Sequence, residues 1–198
     1  MGRFDRYAFG ASPPSNEAGT PEALSHAVPL RTLVIYCHDP RAADIPSAVA
    51  KLFDGGGFPA EIILDPQGNR AASSTTMFPV VVSGGRTIDA LRSITVAQYL
   101  FEIKNIVVVH HSCRRRDVTT VTRDGIIQGY GGGHRGDISG FHDGGSIRNE
   151  DHEASLRRDT ALIRSHPGTP GHVNVFGYFY DIDTGLLTEV VGDMAEAV

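Results

Sequence analysis

Two short segments of the sequence carry sulfur, nitrogen and carboxylate side chains at close spacing. They are Cys37-His38-Asp39-Pro40-Arg41 and His110-His111-Ser112-Cys113. The chain has only two cysteines, one in each segment, and each segment follows a short apolar run that predicts a strand. Ligands of an open α/β sheet collect at the carboxyl ends of its parallel strands. Because Zn²⁺ prefers thiolate and imidazole to hard oxygen donors, Cys37, His110 and Cys113 predict a tetrahedral zinc site with one open position.

The first segment also supplies a carboxylate and a guanidinium next to the predicted metal. The open position suits a water molecule, whose pKa a bound zinc ion lowers to about 7. Asp39, two residues after Cys37, can accept a hydrogen bond from that water or occupy the fourth position itself. Arg41 can hold Asp39 in a bidentate ion pair and keep it ionised. We therefore expect Asp39 and Arg41 to act together as a dyad.

The two cysteines have other interpretations. Buried cysteines often serve only in packing, and Cys113 could be a nucleophile activated by His110. Packing does not require His, Asp and Arg at these offsets, and a nucleophilic Cys113 leaves Cys37 without a role. A disulfide scaffold is not expected, because the chain has two cysteines and does not begin like a secretory signal peptide.

The remaining polar groups receive weaker interpretations. His38 and His111 are interpreted as polar neighbours of the site without a metal role. His134 and His142 are either solvated or carry protons between the site and bulk solvent. The run from Arg114 to Arg116 is too short for nucleic-acid binding and predicts a solvated face or an anion funnel.

Composition limits the class of protein. The chain has 198 residues, 40% of them hydrophobic, and a formal net charge of −5. Such a chain is typical of one globular domain, and its acidic balance argues against nucleic acid or a membrane surface as partner. No apolar run is long enough for a transmembrane helix. We expect an N-terminal arm over residues 1–30, a single zinc-binding α/β domain over residues 31–198, and a cytoplasmic location.

The elements that position these groups follow from hydrophobic periodicity. Strands alternate with helices, which predicts a central, mostly parallel β-sheet flanked by helices on both faces, with a C-terminal hairpin. The stretch from Gly125 to Gly145 is predicted to be a loop because it is so rich in glycine. The stretch from Ala50 to Thr76 predicts a hairpin or flap near the mouth of the site or against a partner subunit. Predicted strands run from Leu33 to Tyr36, Glu61 to Leu64, Phe78 to Val82, Ile106 to Val109, Val173 to Asp181 and Leu186 to Val191, and predicted helices from Ile45 to Phe53, Thr87 to Phe101 and Asp151 to Ser165.

These motifs resemble those of the β-class carbonic anhydrases, and the tail resembles their shorter microbial branch. Cys37-x-Asp39-x-Arg41 and His110-x-x-Cys113 resemble the two zinc motifs of the family, in the same order. Gly84-Gly85-Arg86-Thr87 is similar to its glycine pair, and the segment from Leu156 to Gly185 is similar to its last helix and strand. The stretch from Ala50 to Thr76 is longer than the family pattern, which marks a divergent member with an insertion after the first zinc motif.

The resemblance implies a zinc lyase in which a zinc-bound hydroxide hydrates carbon dioxide reversibly to bicarbonate. It implies Cys37, His110 and Cys113 as zinc ligands, Asp39 with Arg41 as the catalytic dyad, and a homodimer or larger homo-oligomer. Two alternatives stay open: a zinc hydrolase of carbonyl sulfide or carbon disulfide, and a non-catalytic zinc protein whose fourth position is closed permanently. Two positions differ from the family pattern. Val81-Val82-Ser83 stands where the family has Arg-Asn-Ala before the glycine pair, and Arg114 stands where the family has a glycine after the second cysteine.

Overall fold

A computed structural model describes residues 31–53, 56–59, 61–101, 103–112, 123–131 and 151–195. The predicted arm over residues 1–30 lies outside these ranges, as do Cys113, the run from Arg114 to Arg116, His134 and His142. No helix in the described ranges is long and apolar enough to cross a membrane. The strands are β1 (Thr32–Cys37), β2 (Ile62–Leu64), β3 (Arg70–Ser73), β4 (Met77–Val82), β5 (Asn105–His111), β6 (Asn174–Tyr180) and β7 (Leu187–Asp193), and the α-helices are α1 (Ile45–Ala50), α2 (Leu91–Phe101), α3 (Arg123–Gly131) and α4 (His152–Ser165).

The main sheet has five strands in the order β4-β1-β5-β6-β7. The first four are parallel, and β7 returns antiparallel to β6 as the second strand of a hairpin. The predicted mostly parallel sheet with a C-terminal hairpin is therefore confirmed. Because β1 and β5 are parallel neighbours, the carboxyl ends that carry Cys37 and His110 lie at the same edge of the sheet.

Helices cover both faces of the sheet, as predicted. In the central strand β5, the residues from Ile106 to Val109 are all fully buried and point alternately to one face and the other. Because both faces of this strand are apolar, both must be covered by helices. On the first face α2 and α4 pack against the strands, and on the second face α1 does so. The first core includes Leu33, Ile35, Ile94, Ala97, Ile106, Val108, Leu156 and Ile163, and the second includes Val34, Ile45, Val49, Met77, Val107, Val109 and Phe176.

Helix α4 has well-defined ends. The Asp151 side chain accepts a hydrogen bond from the Ala154 amide and so caps the first turn. Arg164 lies in the last turn, where its positive charge suits the helix dipole. The helix buries Leu156 and Ile163 in the first core, and Asp159 lies on that same buried face. The packing of α4 therefore carries a carboxylate into the interior.

The prediction of a loop from Gly125 to Gly145 is wrong for its first residues, because α3 covers Arg123–Gly131. Glycine lowers helix propensity by about 1 kcal/mol relative to alanine, a cost that favourable local features can offset. The stretch has no proline, and Asp124 lies in the first turn, where a negative charge stabilises a helix. Glycine density alone therefore overestimated the penalty, and residues 132–150 lie outside the described ranges.

The stretch from Ala50 to Thr76 contains the predicted hairpin, formed by β2 and β3. Its turn is held by Asp65, whose Oδ1 accepts hydrogen bonds from the amides of Gln67 and Asn69. The hydrogen bonds from Asn69 lower the pKa of the Asp65 carboxyl. The three residues of β2, from Ile62 to Leu64, are about half exposed, at 49–57%. The position of this hairpin relative to the site stays a prediction.

The glycine pair after β4 crosses the ends of the central strands. Gly84 and Gly85 have φ values of +64° and +67°, in the left-handed region that favours glycine. A Cβ atom on Gly85 would lie 2.9 Å from the Val109 carbonyl oxygen and 3.3 Å from the Cys37 amide nitrogen. The turn therefore touches the backbone of both β1 and β5, and it places Arg86 directly beside them.

We expect Gly85→Ala to destabilise the fold more than Gly68→Ala. Gly68 also has a positive φ, +82°, but a Cβ there meets nothing within 4 Å. The Gly68 variant should lose about 1 kcal/mol from backbone strain, and the Gly85 variant a further 1–3 kcal/mol or so from overpacking against two strands. Urea unfolding of the two variants measures the difference. Equal losses would show that Gly85 is retained only for its backbone conformation.

Candidate metal centre

Cys37 and His110, two of the three predicted metal ligands, lie on adjacent strands. Cys37 is the last residue of β1 and His110 the penultimate residue of β5. Extending the observed pairing of Ile35 with Val108 by two residues places Cys37 opposite His110. Residues opposite each other in a sheet point to the same face, and both side chains are fully buried. The structure therefore brings these two together, whereas the third predicted ligand, Cys113, lies outside the described residues.

Asp39 and Arg41 form the bidentate ion pair expected from the sequence. Arg41 Nε donates to Asp39 Oδ1 at 3.0 Å, and Nη2 donates to Oδ2 at 2.6 Å. The Arg41 backbone amide also donates to Oδ1, at 2.9 Å, so Asp39 caps the short 3₁₀ turn Pro40–Ala42. The Asp39 side chain is 8% exposed and that of Arg41 is 42% exposed. The pair therefore spans the boundary between interior and solvent, and its catalytic role stays a prediction.

A second carboxylate reaches His110 from α4. Asp159 Oδ2 lies 3.1 Å from His110 Nε2. Arg86 holds both oxygens of that carboxylate, with Nε donating to Oδ2 at 2.8 Å and Nη2 to Oδ1 at 3.0 Å. The exposed fractions are 0% for the His110 side chain, 3% for Asp159 and 12% for Arg86. His110 is thus tied through one buried carboxylate to the residue that follows the glycine pair.

The protonation state of this network follows from burial and pairing. Burial lowers the pKa of His110, against the hydrogen bond and negative charge of Asp159, which raise it. Burial raises the pKa of Asp159, but its hydrogen bonds to His110 and Arg86 outweigh burial and lower that pKa overall. A neutral imidazole must donate its Nε2 proton to an ionised carboxylate, which can only accept. The lone pair of His110 therefore lies on Nδ1.

The donor atoms present fit zinc. His110 Nδ1 is buried and has no hydrogen-bond partner in the described part of the chain. A lone pair in that state is suited to a metal ion, and the neighbouring strand ends in a buried thiol, Cys37. The described ranges, which do not include Cys113, contain no group of three or more His, Cys, Asp or Glu side chains that could hold a metal. The site is therefore described for two of its three predicted protein donors.

His111 and His38 occupy different surroundings from His110. Strand alternation turns the buried His111 to the opposite face, where its register partner is Tyr180. Its Nδ1 lies 2.9 Å from the Ser112 carbonyl oxygen and donates to it. His38 is exposed. The interpretation of both as polar neighbours stays a prediction.

The sequence reasoning did not single out Asp159 or Arg86 as site residues. A local signal existed for Asp159, since it shares the buried face of α4 with Leu156 and Ile163. A carboxylate on an apolar helix face requires a buried partner. The identity of the partners was not visible locally, because Arg86 and His110 lie 73 and 49 residues from Asp159 along the chain.

No family model matches the chain, and no curated protein matches it either. Solved structures do match. The chain is similar to the carbonic anhydrase from Glaciozyma antarctica, with 22% identity, a TM-score of 0.61, and coverage of 93% of this chain and 99% of that one. It is similar to the carbonic anhydrase from Streptococcus mutans, with 25% identity, a TM-score of 0.59 and coverage of 81% of each chain. It is also similar to β-carbonic anhydrase isoform I from Trichomonas vaginalis, with 15% identity, a TM-score of 0.58 and coverage of 82% of each chain.

These matches agree with the mostly parallel sheet and its C-terminal hairpin. The chain has the fold of the β-class carbonic anhydrases.

We expect Arg86→Leu to lower the free energy of unfolding much more than Arg157→Leu. Both arginines pair with a carboxylate of α4, but the pair of Arg157 with Glu153 is exposed, at 58% and 65%. Removing Arg86 leaves Asp159 buried without its bidentate partner, which costs about 3 kcal/mol, whereas the exposed pair contributes less than about 0.5 kcal/mol. Chemical denaturation measures both losses. Similar small losses would mean that the buried pair contributes no more than the exposed one.

Proposed function

We propose that this chain is a zinc-dependent carbonic anhydrase that interconverts carbon dioxide and bicarbonate. The observation that carries the proposal is the bidentate ion pair between Asp39 and Arg41. Asp39 follows Cys37 by two residues, at the carboxyl end of β1, and His110 lies near the carboxyl end of the neighbouring strand β5. The fold of the β-class carbonic anhydrases supports it.

In this proposal Cys37, His110 and Cys113 hold the zinc ion. Zinc bound there supplies a nucleophile at neutral pH, because it lowers the pKa of a water molecule to about 7. His110 is suited to this role, since burial lowers its pKa and keeps the imidazole neutral. The fully buried Cys37 thiol lies on the adjacent strand and becomes a thiolate on binding the metal.

Asp39 orients the attacking water by accepting its hydrogen bond. The three hydrogen bonds from Arg41 fix the rotamer of the carboxylate and favour its ionised form. An ionised carboxylate can only accept, so it selects the orientation in which a water lone pair faces the substrate carbon. Arg41 acts through Asp39 and is therefore a positioning residue.

Carbon dioxide requires few specific contacts with the rest of the site. Carbon dioxide is small and uncharged, and its hydration forms one C–O bond and releases one proton to solvent or buffer. An apolar wall is sufficient to receive it. Val82 is the register partner of Cys37 and offers such a wall beside the sheet edge.

We also propose that the chain acts as a homodimer or larger homo-oligomer, as the resemblance implies, and that it is cytoplasmic. The motif resemblance supports the assembly.

We expect Cys113→Ser to remove zinc. The wild-type chain should contain one zinc ion, and the variant should lose both the metal and part of its stability, because ligand binding energy is also folding energy. Elemental analysis and thermal unfolding measure the two effects, with Cys37→Ser as the equivalent change at the other thiol. A Cys113→Ser variant that retains stoichiometric zinc would refute the ligand set.

We expect Asp39→Asn to retain zinc and to reduce carbon dioxide hydration by at least about 100-fold, because the amide can donate where the carboxylate only accepts. Stopped-flow hydration and elemental analysis measure the two properties. Asp44→Asn is the matched control, since Asp44 is exposed and its side chain makes no capping hydrogen bond to α1.

Three other outcomes distinguish the alternatives. Loss of zinc from Asp39→Asn would make Asp39 a ligand. Wild-type protein that holds zinc and hydrolyses carbonyl sulfide, but does not hydrate carbon dioxide, would replace the proposed reaction with the sulfur one. Zinc-loaded protein without either activity would identify a non-catalytic zinc protein.

A further inference from the structure

We propose that His152, the first residue of α4, takes up the proton that carbon dioxide hydration releases and passes it to solvent. The inference rests on the proposed function, because this proton arises only where the hydration takes place. His152 belongs neither to the predicted ligand set nor to the Asp39–Arg41 pair. Its task is the one for which the sequence suggested His134 and His142, which lie outside the described residues.

His152 lies at the edge of the sheet where the predicted ligands also lie. Its ring contacts the ring of Phe179, with the centroids 4.8 Å apart and the ring planes at 54°. Phe179 is the penultimate residue of β6 and the register partner of His110 on β5. Register partners point to the same face of a sheet, so Phe179 and His110 are neighbours on the first face. His152 is therefore packed beside the immediate neighbour of a proposed zinc ligand.

The His152 side chain spans the boundary between the interior and solvent. Its Nδ1 atom is buried and has no hydrogen-bond partner in the described ranges, whereas the residue as a whole is partly exposed. A buried ring nitrogen requires a partner, and in a hydrated cleft water can supply it. An imidazole can accept a proton at one nitrogen and release a proton from the other. His152 can therefore exchange protons with the site on one side and with solvent on the other.

The proton transfer balances without any other reactant than a buffer base. Carbon dioxide and one water molecule give one bicarbonate ion and one proton. The lone pair of neutral His152 accepts this proton at Nδ1, through water, and the Nε2–H bond then gives its proton to the buffer base. Exchange with solvent water restores the first tautomer, and no electrons are transferred.

The groups around His152 keep its ring neutral at pH 7. Burial lowers the pKa of His152, repulsion from His110 and His111 lowers it further, and the Asp151 carboxylate raises it. Phe179 contributes no charge. The N-terminus of α4 carries a partial positive charge, which also opposes an imidazolium. A neutral ring can accept a proton during the reaction, and the same surroundings prevent it from retaining that proton afterwards.

The first test is stopped-flow hydration of carbon dioxide by zinc-loaded, full-length His152→Ala in dilute and in concentrated buffer, with kcat counted per bound zinc. We expect kcat in dilute buffer to fall at least about 10-fold. We expect kcat/KM to stay within about twofold of wild type, because proton release follows the formation of bicarbonate. Added imidazole should restore most of kcat, since it can carry the proton in place of the missing side chain.

His172→Ala is the matched control for this measurement. His172 is also a histidine, but it is exposed and precedes β6, at the other end of that strand from Phe179. We expect its kcat to equal that of wild type in both buffers. Equal values of kcat for His152→Ala and His172→Ala in dilute buffer would overturn the inference. A parallel loss of kcat and kcat/KM in His152→Ala, without rescue by imidazole, would also overturn it and give His152 a structural role.

The second test does not depend on activity. Full-length, zinc-loaded protein labelled with ¹⁵N-histidine is titrated by NMR, and the His152 signals are assigned by their loss from the His152→Ala spectrum. We expect the His152 ring to titrate with a pKa below the ordinary histidine value of about 6.5. A ring that does not change its protonation state at any pH above about 5 cannot carry protons near neutrality, which would overturn the inference.

The two proposals fail in different ways. Zinc-loaded wild-type protein that does not hydrate carbon dioxide refutes the proposed function and this inference with it. Wild-type protein that hydrates carbon dioxide, with an unchanged kcat for His152→Ala in dilute buffer, refutes only the inference. Where His152→Ala does not fold, His152→Gln replaces it in both tests, because its amide keeps a polar side chain at this position but does not accept a proton.

Discussion

A carboxylate buried in a protein interior requires donors for both of its oxygens, and Asp159 takes them from two distant parts of the chain. One donor is Arg86, after the glycine pair, and the other is His110, near the end of β5. The carboxylate therefore joins α4, the turn after β4 and the central strand at one point. Without it, the Arg86 guanidinium and the buried His110 imidazole would lose this shared acceptor, so the packing of the first core and the orientation of His110 depend on the same interaction.

The second ion pair at this edge of the sheet, between Asp39 and Arg41, is partly exposed to solvent, whereas the pair of Asp159 with Arg86 is largely buried. Asp39 and Arg41 are two residues apart, and the Arg41 side chain is 42% exposed. The local backbone turn fixes the geometry of this pair, because the Arg41 amide donates a hydrogen bond to the same carboxylate. The Asp159 pair requires the complete tertiary fold. One carboxylate is thus arranged by local sequence and faces the proposed reaction, whereas the other is arranged by packing and faces a proposed ligand.

This difference explains how much could be predicted from the sequence. The continuous apolar run from Ile106 to Val109 predicted a strand, and the local Asp39–Arg41 pair could be expected from two-residue spacing. The contacts of Asp159 could not, because they join residues 49 and 73 positions apart and no periodicity encodes such distances. The opposite error occurred at α3, where local glycine content suggested a loop although a helix forms. Local composition failed at α3 because propensity is a weak prior for helix formation.

The pairing of charges also suits the proposed chemistry. Asp39 is balanced by Arg41 and Asp159 by Arg86, and the low pKa of His110 keeps the imidazole neutral. In the proposed ligand set, two thiolates balance the two positive charges of zinc. Each of these charges is therefore compensated by its immediate neighbour, which limits the desolvation cost of placing these ionised groups together.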